Sequence, residues 1–154
     1  MMSSCGKKEG SEQNFDATTT TSDEGMPADE PTSSGDASTY DPKRGEGKYD
    51  KVDLGAKLDV AMAQEGEKVS NVKCMSCHKL TDEKLVGPGW KGVTERNQPH
   101  WIMNFITNPD PMIDKDPKVQ AMMEICLVRM PNQSLSDSDA RNILEYMRQN
   151  DGVK

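Results

Sequence analysis

The sequence has 154 residues, of which 33% are hydrophobic and 29% charged, and its formal net charge is -7. This length is enough for one ordinary domain, and the acidic balance excludes the basic surplus that nucleic-acid binding needs. No run approaches the roughly 18 consecutive apolar residues of a transmembrane helix, so the sequence predicts no segment that spans a bilayer.

The first residues read MMSSCG and resemble the end of a bacterial lipoprotein signal, in which small residues precede a cysteine that becomes acylated. We therefore interpret residues 1–5 as a remnant of such a signal and Cys5 as the lipidation site. The alternative is an ordinary cysteine in a polar tail. Lipidation predicts a periplasmic protein that is anchored to a membrane.

Residues 6–48 contain almost no side chains that could form a core, being mostly Ser, Thr, Gly, Asp, Glu and Pro. Such a segment cannot bury enough apolar surface to offset its ordering entropy. We expect a disordered acidic linker that tethers a folded domain at residues 49–154. At the start of that domain a helical pattern places Leu58, Ala61, Met62, Val69 and Val72 on one face.

The pentapeptide CMSCH contains Cys74, Cys77 and His78 in the C-x-x-C-H spacing of c-type haem attachment. Two thiols at this separation can bond the two vinyl groups of one haem, and the histidine then lies under the iron as its proximal ligand. A redox dithiol would need a βαβ pattern, which is absent. A zinc site would need more ligands than the remaining cysteines and His100 offer. The motif predicts one covalent haem c.

Beyond the motif, the chain resembles the class I c-type cytochromes over residues 56–149. The resemblance implies a small all-α domain around one haem, with Gly66 in close contact with the C-terminal helix. Ser70 departs from the aromatic residue usual in that family. The resemblance also implies that the carbonyl of Pro88 accepts a hydrogen bond from the second nitrogen of His78, although Gly-Pro-Gly also marks a simple turn.

Three further helices are predicted in the second half of the chain. One begins at Pro99 and ends at Asn108. The next opens at Asp116 and places Cys126 on an apolar face, as a buried structural thiol. The last begins at Ser136 with a near-capping box and carries a buried stripe, composed of Ala140, Ile143, Leu144 and Met147. The resemblance matches Tyr146 to an aromatic that packs against the N-terminal helix.

The resemblance assigns Met130 as the sixth iron ligand, since the axial methionine of that family lies in a loop and is followed by proline. Met112 is the first alternative and His100 a weaker one. A His/Met pair raises the reduction potential. Trp90, Trp101, Arg129 and Asn132 are donors suited to the haem propionates, but packing is an equal role for each tryptophan.

Two protein ligands would leave no iron position open to a substrate. We therefore expect an electron carrier and not an enzyme; the alternative is a haem enzyme or sensor whose sixth ligand is displaced. The expected partners of this monomer are a quinol-oxidising complex and a terminal oxidase or periplasmic reductase. A basic excess between residues 68 and 96 suggests a docking rim, formed by Lys73, Lys79, Lys84 and Lys91.

Overall fold

The computed structural model describes residues 40–154, which form six helices and no strand. The helices are α1 (Val60–Lys73), α2 (Val93–Arg96), α3 (Pro99–Thr107), α4 (Pro109–Lys115), α5 (Pro117–Cys126) and α6 (Asp137–Asn150). None of them is long and apolar enough to cross a membrane. The all-α prediction is confirmed, whereas Cys5 and the linker up to residue 39 lie outside the described residues.

Helices α1 and α6 pack closely along a face that we call the α1–α6 seam. A Cβ atom at Gly66 would overlap the backbone carbonyl of Asn142, so only glycine allows this approach. The buried residues of α1 are Ala63, Gly66 and Ser70. The apolar face predicted for this helix is only partly buried: Val69 packs against the core, whereas Val72 is 81% exposed. Small residues, rather than large apolar ones, bring the two backbones together.

Helix α6 follows its prediction closely. The Ser136 hydroxyl accepts a hydrogen bond from the Asp139 backbone N–H at 3.1 Å and so caps the first turn. All four predicted stripe residues are buried, and Tyr146 is only 7% exposed. The apolar stripe thus fixes which face of α6 turns inward.

A buried ion-pair cluster closes the far end of the α1–α6 seam. The carboxylate of Glu145 accepts hydrogen bonds from Arg148, Arg141 and the Asp59 backbone N–H. Burial alone would raise the pKa of Glu145, but these three donors hold it below its usual range. The same cluster fixes the start of α1, because Asp59 is also its N-cap.

Three helices begin with proline directly after a residue with non-helical backbone angles, as the first turn of a helix allows. Helix α4 was not predicted, because Pro109 and Pro111 resembled a loop. Both prolines lie in its first turn, where their missing N–H groups cost nothing. Met112 therefore lies in a helix, fully buried, and not in a loop.

The segment 40–48, assigned to the linker by its composition, lies against the helices instead. The Tyr40 hydroxyl donates to the Asp116 carboxylate, and the Glu46 backbone N–H contacts the sulfur of Met112 at 2.9 Å. Asn104, itself fully buried, donates to the backbone carbonyls of Arg44 and Tyr49. Local composition missed this packing because the contacts are made by backbone groups and by partners far away in sequence.

Candidate functional site

An apolar cleft of about 620 Å³ lies among residues 40–154, a size typical of cofactor sites. Its walls come from the CMSCH motif, residues 86–90, α3, α5, α6 and the loop between the last two helices. The apolar lining includes Trp90, Val93, Ile102, Phe105, Ile106 and Ile143. A flat apolar group with a few polar anchors fits these walls.

The motif lies in a tight turn at the end of α1. The backbone N–H groups of Cys77 and His78 both donate to the Cys74 carbonyl at 3.0 Å. This turn directs Cys74, Cys77 and His78 into the lining of the cleft. Neither thiol forms a disulfide within residues 40–154, and burial raises the pKa of the Cys74 thiol. The two sulfurs and the imidazole therefore border one space.

The imidazole of His78 is held in place by the loop that contains Pro88. Its Nδ1 lies 2.8 Å from the Pro88 carbonyl oxygen, the contact that the resemblance implied. That contact assigns the proton to Nδ1 and leaves Nε2 free as an acceptor. Burial lowers the pKa of His78, although the bond to Pro88 opposes the shift. A neutral imidazole with an unprotonated Nε2 can bind a metal ion.

Gly87 is a site residue that sequence reasoning passed over. A Cβ atom at this position would overlap the ring of His78. The backbone N–H groups of Val86 and Gly87 both donate to the Cys77 carbonyl, at 3.1 and 2.8 Å. The loop thus folds back onto the motif, and glycine leaves room for the imidazole. The Gly87-Pro88 dipeptide is visible in the sequence, but a role was predicted only for Pro88.

Three methionines line the cleft: Met122, Met130 and Met147. Met122 and Met147 belong to helices, whereas Met130 lies in the loop between α5 and α6 and is half-buried. Met112 does not line the cleft, because its sulfur faces the segment around Glu46. His100 is absent from the lining as well. The structure therefore places Met130 in the cavity that holds the motif, and neither alternative ligand there.

Of the four expected propionate donors, Trp90 is the one that both lines the cleft and keeps its donor N–H unused within residues 40–154. Its indole lies 5.8 Å from the His78 ring, centroid to centroid, and its N–H has no acceptor within residues 40–154. Trp101 donates to the Asp116 carboxylate at 2.8 Å, so its role in the cleft is packing. Arg129 pairs with two carboxylates of α4, and Asn132 is exposed and absent from the lining.

The four lysines of the expected rim are mostly engaged within the chain. Lys73 donates to the Gln133 carbonyl at 2.8 Å, Lys84 to the Ile125 carbonyl at 2.9 Å, and Lys79 pairs with Glu83 at 3.1 Å. The most exposed large apolar side chains are Val72 and Leu127, each 81% exposed. The hydrogen bonds and the ion pair leave each lysine its positive charge, so the docking rim stays a prediction.

A metal site at the motif would lack ligands. Within residues 40–154, no cluster of three or more His, Cys, Asp or Glu side chains is arranged to hold a metal ion. Cys126 does not line the cleft and is half-buried, less than its predicted burial. The thiols, the imidazole and the thioether of one apolar cleft together suit a covalently held porphyrin.

Comparison with known proteins agrees with this geometry. The family model described as cytochrome c matches residues 63–151. The chain belongs to the cytochrome c family. As the class I resemblance predicted, it is a monohaem c-type cytochrome with covalently bound haem c. The residues that would hold the group are those of the cleft, since Cys74, Cys77 and His78 line it.

Solved structures give the same result. A cytochrome c from Rhodothermus marinus is 40% identical, with a TM-score of 0.66, over 68% of this chain and 90% of its own. An engineered cytochrome c from Rhodothermus marinus, bound to a carbene intermediate, is 39% identical with a TM-score of 0.62 over the same shares. No curated protein sequence matches the chain.

Proposed function

We propose that this cytochrome is a one-electron carrier in which Cys74 and Cys77 hold haem c by thioethers and His78 and Met130 fill both axial positions. The observation that supports this most directly is the cleft, because it brings the CMSCH residues and Met130 to one apolar space. The bound haem supplies the one-electron ferric/ferrous couple.

The chain's own residues would set the properties of that couple. The Pro88 carbonyl holds the Nδ1 proton of His78 and keeps its other nitrogen directed into the cleft. The thioether of Met130 is a soft, weak donor that favours ferrous iron and raises the potential. Apolar walls exclude water and favour the less charged form of the site. If His78 and Met130 both bind the iron, no coordination position would remain for a substrate.

The second candidate is a haem enzyme or sensor in which Met130 is displaced. It is favoured by one observation, the carbene intermediate bound in the engineered relative. A carrier and an enzyme of this type differ in whether the sixth position opens under working conditions. Reaction with carbon monoxide or peroxide therefore separates them.

The test compares absorption spectra of the wild-type, Met130→Ala and Met122→Ala holoproteins, made in cells that attach haem c. We expect a Met-to-iron charge-transfer band in ferric wild type and in Met122→Ala, which also lines the cleft. Met130→Ala should lose the band and show a lower midpoint potential. A band that survives in Met130→Ala, or a high-spin wild type that binds carbon monoxide rapidly, contradicts the carrier.

We also propose that the carrier works on the periplasmic face of a membrane, held there by lipid at Cys5, between a quinol-oxidising complex and a terminal oxidase or periplasmic reductase. The support is the MMSSCG pattern, followed by a long acidic segment. In cells, Cys5→Ser should move the protein from the membrane fraction to the soluble fraction. An unchanged membrane fraction rejects the lipid anchor but leaves the haem site unaffected.

A further inference from the structure

The loop between α5 and α6, residues 127–136, carries Met130 but has few attachments to the rest of the domain. Within residues 40–154, no backbone-to-backbone hydrogen bond joins residues 128–135 to another part of the chain. The loop residues that pack against the core are Met130 and Leu135, and both are only partly buried. The position of Met130 therefore depends on a small number of side-chain bonds.

Two polar attachments hold the 127–136 loop. Lys73 reaches the Gln133 carbonyl near its end. Arg129, next to Met130, donates from Nε to Asp110 and from a terminal nitrogen to Asp114, each at 3.0 Å. The guanidinium fork thus spans two carboxylates of α4, which stand four residues apart on one helix face and would otherwise repel each other.

The backbone at both ends of the 127–136 loop is under strain. Leu127 has a φ of 59° and Ser134 a φ of 50°, the only two positive values at non-glycine residues among residues 40–154. Such left-handed positions persist where surrounding contacts hold them, and they recur at ligand clamps and switches. In a loop with few contacts, the Arg129 pairs are the bonds placed to hold the chain in this conformation.

We propose that Arg129 is a positioning residue for the axial methionine: its pairs with Asp110 and Asp114 keep Met130 over the cleft. The proposal rests on the His78/Met130 ligation proposed above. All three side chains are about half-exposed, at 47%, 59% and 63%, so salt screens their attraction. The strength of Met130 coordination is therefore sensitive to ionic strength.

The experiment measures how readily imidazole displaces Met130 from ferric holoprotein, followed by loss of the Met-to-iron band. At low salt, Arg129→Gln should raise the apparent imidazole affinity roughly 3- to 10-fold, because two exposed ion pairs are lost. The double variant Asp110→Asn/Asp114→Asn should do the same. Combining all three changes should add little more, since the groups act as one unit. In about 1 M salt the wild type should approach the variants.

The matched control is Lys115→Gln. It removes another exposed ion pair of the same helix α4, to Glu46 at 3.3 Å, without touching the 127–136 loop. Its imidazole affinity should equal that of the wild type. The proposal is overturned if Arg129→Gln binds imidazole like the wild type, or if Lys115→Gln changes as much.

Failure of this proposal is distinguishable from failure of the proposed ligation. If ferric wild type has no Met-to-iron band, Met130 is not the ligand and the carrier assignment falls. If the band is present but the Arg129 and aspartate variants leave imidazole affinity unchanged, the ligation stands and only the positioning role fails. Circular dichroism of each variant shows that a change in affinity does not arise from unfolding.

Discussion

The α1–α6 seam and the 127–136 loop are built in opposite ways. At the seam, two backbones touch at Gly66 and buried ionic groups around Glu145 close one end. The loop instead has half-exposed ion pairs and two left-handed residues at its ends. Sterics and desolvated hydrogen bonds determine the first region, while screened charges hold the second.

The difference matches the two sides of the cofactor site. His78 follows directly from α1, which the seam fixes, and Gly87 and Pro88 lock its ring. Met130 belongs to the loosely attached region. If His78 and Met130 bind the iron as proposed, the first ligand would be held rigidly and the second would respond to ionic conditions.

The largest effect is expected for Gly66→Ala. In an open helix this change stabilises by about 1 kcal/mol, but here the added methyl overlaps the Asn142 carbonyl and must separate α1 from α6. We expect the free energy of unfolding to fall by about 3 kcal/mol or more. Denaturant titration provides the measurement. Ala61→Leu, which adds three carbons on the exposed face of α1, should cost less than about 0.5 kcal/mol; equal losses would contradict the seam.

Glu145→Gln tests the ionic part of the seam. Leaving Arg148 buried without its carboxylate should cost about 2–4 kcal/mol near pH 7. The folded pKa of Glu145 lies below its ordinary value of 4.5. Its stabilisation is therefore complete above that value and is lost as the pH falls below it. The gap between wild type and variant should narrow in that acid range.

Denaturant titrations across pH measure that gap. Glu65→Gln is the control, because it removes an exposed pair with Lys68 on α1 and should cost less than about 1 kcal/mol. A gap that stays constant as the pH is lowered through the acid range would reject the role given to the carboxylate.

Asp116→Asn tests whether the segment 40–48 is held tightly, like the α1–α6 seam, or loosely, like the 127–136 loop. The carboxylate of Asp116 is fully buried and accepts from Tyr40, Trp101 and the first backbone N–H groups of α5. An amide can accept fewer of these bonds, so we expect a loss of about 1–3 kcal/mol in thermal unfolding. Asp53→Asn, at an exposed pair with Lys51, is the control. A variant as stable as the wild type would place the segment with the loosely held loop.

The smallest effect is expected for Leu127→Gly. Relief of the left-handed backbone should offset the entropy lost by glycine. The free energy of unfolding should change by no more than about 1 kcal/mol, in the stabilising direction. Val128→Gly, at an exposed neighbour without a positive φ, should destabilise. If both variants shift the denaturation midpoint equally, no strain resides at Leu127.

Much of this structure was predictable from the sequence, because the signals are local. The all-α class and helices α3, α5 and α6 follow from caps, prolines and spacing. Gly66 was placed correctly by resemblance, and its reason is the close backbone contact. The family assignment depended on the same motifs.

What could not be predicted depends on partners distant in sequence. Nothing around Trp101 indicates that its N–H is taken by Asp116, and nothing around Arg129 indicates a pair with α4. Residues 40–48 lack an apolar pattern, yet they bond to Asn104 and Asp116. The roles proposed for Met130, Trp90 and Pro88 at the haem site stay predictions, and the spectra above test that of Met130.

The placement of the aromatic side chains also has an optical consequence. The chain contains two tryptophans, and both Trp90 and Trp101 line the cleft. Their emission overlaps the absorption of a porphyrin held in the same cavity, so the loaded protein should be almost dark in tryptophan fluorescence. Tryptophan fluorescence should increase when either indole moves away from the porphyrin. The intensity of tryptophan fluorescence thus reports whether the cofactor site is intact.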